Sequence, residues 1–219
     1  MKLTTALVAL AAAGTVAATG AQAKEGDVLV RVRAINVMPQ EKSDPVLPGL
    51  PADKVKVNNT VTPEIDFTYM ITDNIGAEVI AGTSRHTVTG VGPNLGGAKL
   101  LETNVLPPTV TLQYHFAPEA AVRPYVGAGL NYSLFFNTKA QGDLLGVAGA
   151  TDVKMKKSFG WAAQAGVDIP LNDKMFLNLD VKYIDIDTKA TLRTANLGTQ
   201  SVKVDLNPII VGVGIGTKF

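Results

Sequence analysis

Residues 209–219 read IIVGVGIGTKF, and their pattern decides the fold. Ile209, Val211, Val213 and Ile215 fall on one side of an extended chain, Gly212, Gly214 and Gly216 fall on the other, and the stretch closes on Phe219. A period of two belongs to a β-strand, whose successive side chains point to opposite faces. An apolar face, a face of minimal side chains and a final aromatic form the C-terminal strand pattern of outer-membrane barrels. That strand is the expected contact of the outer-membrane assembly machinery. Thr217, where an aromatic is common, is a mild departure.

The same alternation recurs upstream. Val28, Val30, Val32 and Ala34 alternate with Leu29, Arg31 and Arg33, while Val61, Ile65, Phe67, Tyr69 and Ile71 oppose Thr62, Glu64, Asp66, Thr68 and Thr72. Glu78 sits between Ala77 and Val79. Val110, Leu112, Tyr114 and Phe116 face away from Thr111, Gln113 and His115, and Val126, Ala128, Leu130, Tyr132 and Leu134 face away from Gly127, Gly129, Asn131 and Ser133. Segments 163–169 and 177–183 complete the set, with Gln164, Gly166 and Asp168, and then Asn178, Asp180 and Lys182, on their polar sides.

Eight strands of roughly 10–15 residues result, a length that suits a bilayer crossing. Tight turns at 72–74, 117–119 and 172–174 are separated by long Gly-, Pro- and Ala-containing connections at 39–59, 88–106, 137–156 and 189–201. Short turns at one end and long loops at the other are the layout of periplasmic turns and extracellular loops. No helix is required. The expected fold is all-β, an eight-stranded antiparallel transmembrane β-barrel over residues 24–219 in the bacterial outer membrane, with outer-membrane lipid around it.

A soluble barrel of the lipocalin kind would share the alternation but place its apolar face inside. Here the polar faces are rich in Gly, Thr, Ser and Asn with opposite charges among them, as a cramped lumen requires, which sends the apolar faces to lipid.

Composition agrees with this reading. The 219 residues contain no cysteine, carry a formal net charge of +1, and are 46% hydrophobic and 18% charged. Near neutrality, with no basic stripe interleaved with aromatics, excludes nucleic acid as an expected partner. Mean hydropathy is +0.18, yet after residue 23 no apolar run approaches the roughly 18–20 residues of a spanning helix. Alternating strands produce that combination. Part of the hydropathy belongs to residues 1–23, where Lys2, an uncharged stretch over 3–18 and Ala21-Gln22-Ala23 make a secretory signal peptide. Its removal leaves 19 basic side chains against 19 acidic ones.

Arg31, Arg33, Glu64, Asp66, Glu78, Asp168, Asp180 and Lys182 lie on the polar faces. An eight-stranded interior is just wide enough for side chains, so opposite charges there pair and plug the lower lumen. A polar pore would instead need a continuous file of water past them. With a closed floor, an apolar solute admitted from outside must leave sideways into the bilayer.

Pro63 and Pro208 interrupt otherwise regular strand patterns, and Pro107-Pro108 opens another. Each proline removes a ladder donor, which marks either a terminal bulge or weakened pairing and a lateral exit near the outer rim. The long connections carry Val46, Leu47, Leu50, Val88, Val91, Leu95, Leu100, Leu101, Leu144, Leu145 and Val147. Scattered apolar residues are ordinary; gathered together, they would form an apolar funnel at the mouth. Tyr69, Tyr114, Phe116, Tyr132 and Tyr183 fit interfacial girdles. His86 and His115 without cysteine give no zinc site, no nucleophile elbow occurs, and no helix follows the glycine run 212–216. No enzyme activity, metal or cofactor is expected.

Six stretches carry a further signal: VNNTVTPEIDFTYMITDNIGAEVIAGTSRH (57–86), LPPTVTLQYHF (106–116), RPYVGAGLNYSLFF (123–136), KSFGWAAQAGVDIPLN (157–172), DVKYIDIDTKA (180–190) and VKVDLNP (202–208). In family order they resemble the outer-membrane protein W (OmpW) family, which includes the alkane-uptake (AlkL-like) porins. The resemblance implies a monomeric eight-stranded barrel with a narrow apolar channel that passes small hydrophobic molecules across the outer membrane. It places Leu50 and Phe159 at the channel constriction, although parity from Ala163 points Phe159 outward unless a bulge intervenes; Val88 and Val91 are the further expected lining residues. A tryptophan is frequent where this chain has Phe159, and an Asp-Pro-Trp where it has Asn207-Pro208-Ile209, departures that bear on channel width and ligand choice. The expected function is passive uptake of small hydrophobic molecules with lateral release; the alternative is a structural or receptor-type barrel whose loops hold external partners.

Overall fold

A computed structural model describes residues 23–117, 120–149 and 151–219. The expected signal peptide, Ala23 apart, lies outside the described residues, as do Pro118-Glu119 of the second turn and the side chain of Val147. The chain runs through β1 (Val28–Met38), β2 (Lys42–Ser43), β3 (Lys54–Val57), β4 (Thr60–Met70), β5 (Ile75–Gly82), β6 (Ser84–Val91), β7 (Lys99–Leu106), β8 (Thr109–His115) and β9 (Arg123–Ala140). It continues through α1 (Gly142–Ala148), β10 (Thr151–Met155), β11 (Ser158–Pro170), β12 (Met175–Ile184), β13 (Asp187–Thr194), β14 (Gly198–Asp205) and β15 (Ile209–Lys218).

Eight of these strands close a barrel in the order β1-β4-β5-β8-β9-β11-β12-β15, every neighbour antiparallel, with β15 returning to β1. Closure leaves no open edge in the hydrocarbon region, the condition for strands to span a bilayer. At the turn end the ring is sealed where the Val28 and Phe219 amides each donate to the other's carbonyl at 3.0 Å. The outward faces carry Ile65, Phe67, Val110, Leu112, Leu130, Val181, Val211, Val213 and Ile215, all exposed. Tyr69, Tyr114 and Phe116 ring this apolar belt at the turn end, while Tyr132, Trp161 and Tyr183 ring it at the other, with Trp161 and Tyr183 packed at 5.0 Å between centroids.

Beyond the upper ring the chain departs from the sequence expectation. The long connections are largely strand. β6 and β7 form a hairpin that joins β3 and the upper part of β9 in one sheet, and β10-β13-β14-β2 form a second. A short helix is also present, α1, whose Leu144 and Ala148 share one buried face four residues apart. The physical reason is a reversal of polarity while the inward parity of the chain continues. On β12 the inward residues are Asn178, Asp180 and Lys182; past the upper aromatic ring the inward residues become Ile184, Ile186, Ala190 and Leu192, with Lys189 and Arg193 outward. Inside the bilayer the outer face must be apolar. Above it the outer face meets water and the apolar side turns in.

Candidate functional site

The lower lumen holds one continuous polar network. Arg31, on β1, donates to Asp66 on β4 at 3.0 Å and to Asp168 on β11 at 2.8 Å. Two residues along, Arg33 reaches Glu64 at 2.9 Å and Asp66 at 2.7 Å. Lys182, from β12, sits 2.5 Å from Glu64 and 3.4 Å from Asp180. Glu78, from β5, lies within 3.8–3.9 Å of both guanidinium groups and accepts the Thr111 hydroxyl at 2.7 Å. All eight charged residues named from the sequence therefore meet in the lumen, and all are buried. Burying charge is costly unless each is paired and hydrogen-bonded, which is how this section is built.

Several members of the network were not singled out from the sequence. The Tyr125 hydroxyl donates to Asp180 at 2.9 Å, Asn178 donates to Asp168 at 2.8 Å and accepts from Arg33 at 3.1 Å, and the Gln164 side-chain amide donates to Glu78. The inward parity of their strands was the available signal. Beneath them Arg31 lies over the rings of Tyr125 and Phe176 at 5.2 and 5.5 Å. Glycine makes room for both rings: a Cβ on Gly166 would lie 2.4 Å from the Tyr125 side chain, and one on Gly216 would lie 2.2 Å from the Phe176 ring.

Above the network is an apolar chamber with a cavity volume of about 130 Å³. Ile35, Val37, Ile184, Ile210, Val202 and Val204 form part of its wall, and Glu64 and Lys182 its floor. Leu50, Leu95, Leu144 and Leu197 reach it from the connections at the loop end. One latch positions two of these caps. Buried Asp53 accepts the amides of Asn94 and Leu95 at 2.9 Å each and the Asn94 side chain at 2.7 Å, tying the 44–53 segment to the β6–β7 turn. Burial alone would push its carboxyl up; those three donors hold it below the ordinary value.

Of the lining residues expected from sequence, Leu50 and Val88 border the chamber. Val91 does not: it is half exposed at the outer end of β6, on the opposite parity from Val88. Phe159 does not either. It is 69% exposed, because the β9–β11 register runs without a bulge from Ser158 to Asp168 and parity keeps the ring outward. In the mouth, Val46, Leu95, Leu100, Leu101 and Leu144 are buried in the chamber core, whereas Leu47 and Leu145 face solvent.

The two prolines differ. The β4–β5 ladder stops at Glu64 opposite Gly82. On β4 the Met70 amide bonds toward β1, to Asp27, and the next amide, Ile71, bonds toward β5, to Ile75; alternation then points the odd positions, Pro63 included, at β5. Pro63 has no N–H to give there. Above it two hydroxyls replace the ladder, Thr62 donating to the Thr83 carbonyl and Thr60 to the Arg85 carbonyl, both at 2.7 Å. Thr62, Thr83 and Ser84 border both the chamber and a cleft on the outer wall, so this seam is the thin part of the barrel.

Pro208 marks no such seam, contrary to the sequence expectation. Its carbonyl accepts the Ile184 amide, the Ile186 amide turns to the Asn207 side chain at 3.0 Å, and the ladder resumes with Leu206 donating to Ile186. Asn207 adopts φ 37° to make that substitution, a left-handed conformation that Asn tolerates.

The OmpW family profile matches residues 24–219. The chain is 40% identical to outer membrane protein W of Vibrio cholerae, over 90% of each chain. It is 31% identical to the dibenzothiophene metabolism operon protein PahQ of Pseudomonas aeruginosa, over 79% of this chain and 77% of the relative. Among solved structures, the outer membrane protein OprG of Pseudomonas aeruginosa superimposes with a TM-score of 0.83 at 31% identity, covering 92% of this chain and 98% of that one.

Proposed function

The chain belongs to the OmpW family of bacterial outer-membrane barrels, and from that premise we propose that it admits small hydrophobic molecules into its apolar chamber and releases them sideways into the bilayer. One observation carries the reading: an apolar chamber stands directly on a closed floor of paired charges, beside the thin seam above Pro63. An apolar solute gains by leaving water for the chamber. It has no favourable path down, since passage would desolvate or break the Arg33–Glu64–Lys182 pairs. The seam offers the way out, because two threonine hydroxyls part more easily than a continued ladder. The name of the relative PahQ refers to the metabolism of dibenzothiophene, an apolar aromatic molecule, which fits the same chemistry.

Liposome flux tests this. The protein reconstituted in phosphatidylcholine vesicles is expected to pass an alkane-like reporter and to exclude a small sugar. Pro63→Val restores a donor to the seam and is expected to slow the apolar reporter severalfold at equal folded protein. Unchanged flux in that variant removes lateral release; sugar flux removes the closed floor; flux of neither solute returns the protein to a structural or receptor role.

A further inference from the structure

The cleft on the outer side of the seam has a volume of about 540 Å³ and, unlike the chamber, is lined mainly by polar groups. Arg85 of β6 lies across from Asn104 of β7, and Glu102 lies across from Lys139 of β9, so four long polar side chains share one outward patch. Between the Glu102–Lys139 and Asn104–Phe136 pairs of the β7–β9 ladder, β9 carries a bulge, at which Asn137 takes φ 51° and joins the cleft lining. A bulge re-aims a side chain at the expense of ladder pairing, and the left-handed region is uncommon for a residue with a Cβ. The charge is unequal as well. Among the described residues Glu102 is the one carboxylate lining the cleft and pairs with Arg85, leaving the Lys139 ammonium over.

Height in the membrane identifies what the patch faces. Val61 borders the cleft on β4 and is 74% exposed, on the same outward parity as Ile65 and Phe67. On β9 Tyr132, in the upper aromatic ring, lies five residues before Asn137. The cleft therefore opens where acyl chains end and headgroups begin. Outer-leaflet lipid of a bacterial outer membrane is a phosphorylated glycolipid, with phosphate to meet cations and sugar hydroxyls to meet amides.

We propose that this cleft, formed by Arg85, Glu102, Asn104, Asn137 and Lys139 beside Val61, binds the phosphorylated sugar headgroup of an outer-leaflet glycolipid. Arg85 and Lys139 take the phosphate, Asn104 and Asn137 take sugar hydroxyls, and the acyl chains run down the face of Val61 and Ile65. The assignment stands apart from transport, since binding is read with no solute present.

The test uses the full barrel in phosphatidylcholine nanodiscs, titrated with fluorescent bis-phosphorylated lipid A and with its dephosphorylated counterpart. The phosphorylated lipid is expected to bind about tenfold more tightly, the scale of one good charge-assisted contact. Arg85→Gln/Lys139→Gln is expected to bring it to the dephosphorylated level. Both side chains are exposed, and Lys139→Glu, which leaves the Arg85–Glu102 pair in place, gives a second reading should the double variant fold poorly. Equal binding of the two lipids, or unchanged binding in folded variants, overturns the proposal. Displacement of the lipid by equimolar inorganic phosphate overturns it too, since the site would then hold a free anion.

Discussion

The barrel below the upper aromatic ring and the sheets above it share one inward parity, as from β12 into β13, and carry opposite chemistry. Below, Arg33, Glu64 and Lys182 face in and Val32, Ile65 and Val181 face lipid; above, Val88, Ile186 and Leu192 face in and Lys189 and Arg193 face water. The inward parity of β12 carries on into β13, and only the solvent outside changes. The difference teaches that the two halves are held by different forces. Paired charge fixes the lower half and admits little repacking, whereas hydrophobic burial holds the upper half and tolerates a cavity.

Single removal of Arg33 should break that contrast most severely. Arg33→Met takes away the guanidinium that Glu64, Asp66 and Asp180 share, leaving Asp66 to Arg31 and the other two to Lys182, and is expected to cost about 3–5 kcal/mol in urea unfolding from vesicles. Replacing Arg33, Glu64 and Asp66 together by apolar residues of similar volume should recover a large part of it. Leu192→Ala, in the chamber wall, is expected to cost about 2–4 kcal/mol, seen as faster hydrogen exchange in β13 and β14 with barrel amides unchanged. A barrel-wide effect would mean that the halves are not separate units. Gly216→Val, which drives a Cβ against Phe176, should lower stability by about 1–3 kcal/mol, measured as an earlier heat-induced gel shift. Asn207→Ala removes the acceptor of the Ile186 amide, for about 1 kcal/mol and faster exchange at that amide.

The smallest effect is a pH dependence confined to the upper half. The Asp53 carboxyl titrates below its unfolded value, so the latch contributes fully above the ordinary aspartate pKa of about 3.9 and fades as pH falls through the lower folded value. Exchange at Asn94 and Leu95 should rise on acidification, and Asp53→Asn should remove the dependence. A latch unaffected by acid would show that Leu50 and Leu95 are held by burial alone.

Much of the lower half was legible because its alternation is unbroken. Strand positions, tight turns, the eight inward charges and the outward aromatics all follow from period two with one side facing lipid. The same parity marked Tyr125, Gln164 and Asn178, whose roles depend on partners carried by other strands, which parity alone does not identify. In the upper half the parity holds but the hydrophobic side switches, as at Tyr183 followed by Ile184, and a pattern read by apolarity then breaks off where the same parity goes on into β13. That is why hairpins and α1 were expected as loops.

The prolines make the same point at the scale of one residue. Sequence marks Pro63 and Pro208 as equal interruptions, since both lack an N–H. Neighbours decide the outcome: Asn207 supplies an acceptor that keeps one wall stitched, whereas two threonines bridge a ladder that has already ended in the other.

By itself, then, the sequence determined a closed antiparallel barrel with apolar residues toward lipid and charges toward the lumen, because side-chain direction in a strand is a local property. Tertiary structure alone decided that the charges form one connected network, that the connections fold into a chamber above it, and that the ladder ends beside Pro63 but resumes beyond Pro208. Those outcomes depend on which strands meet and at what register, and no short stretch of chain contains that information.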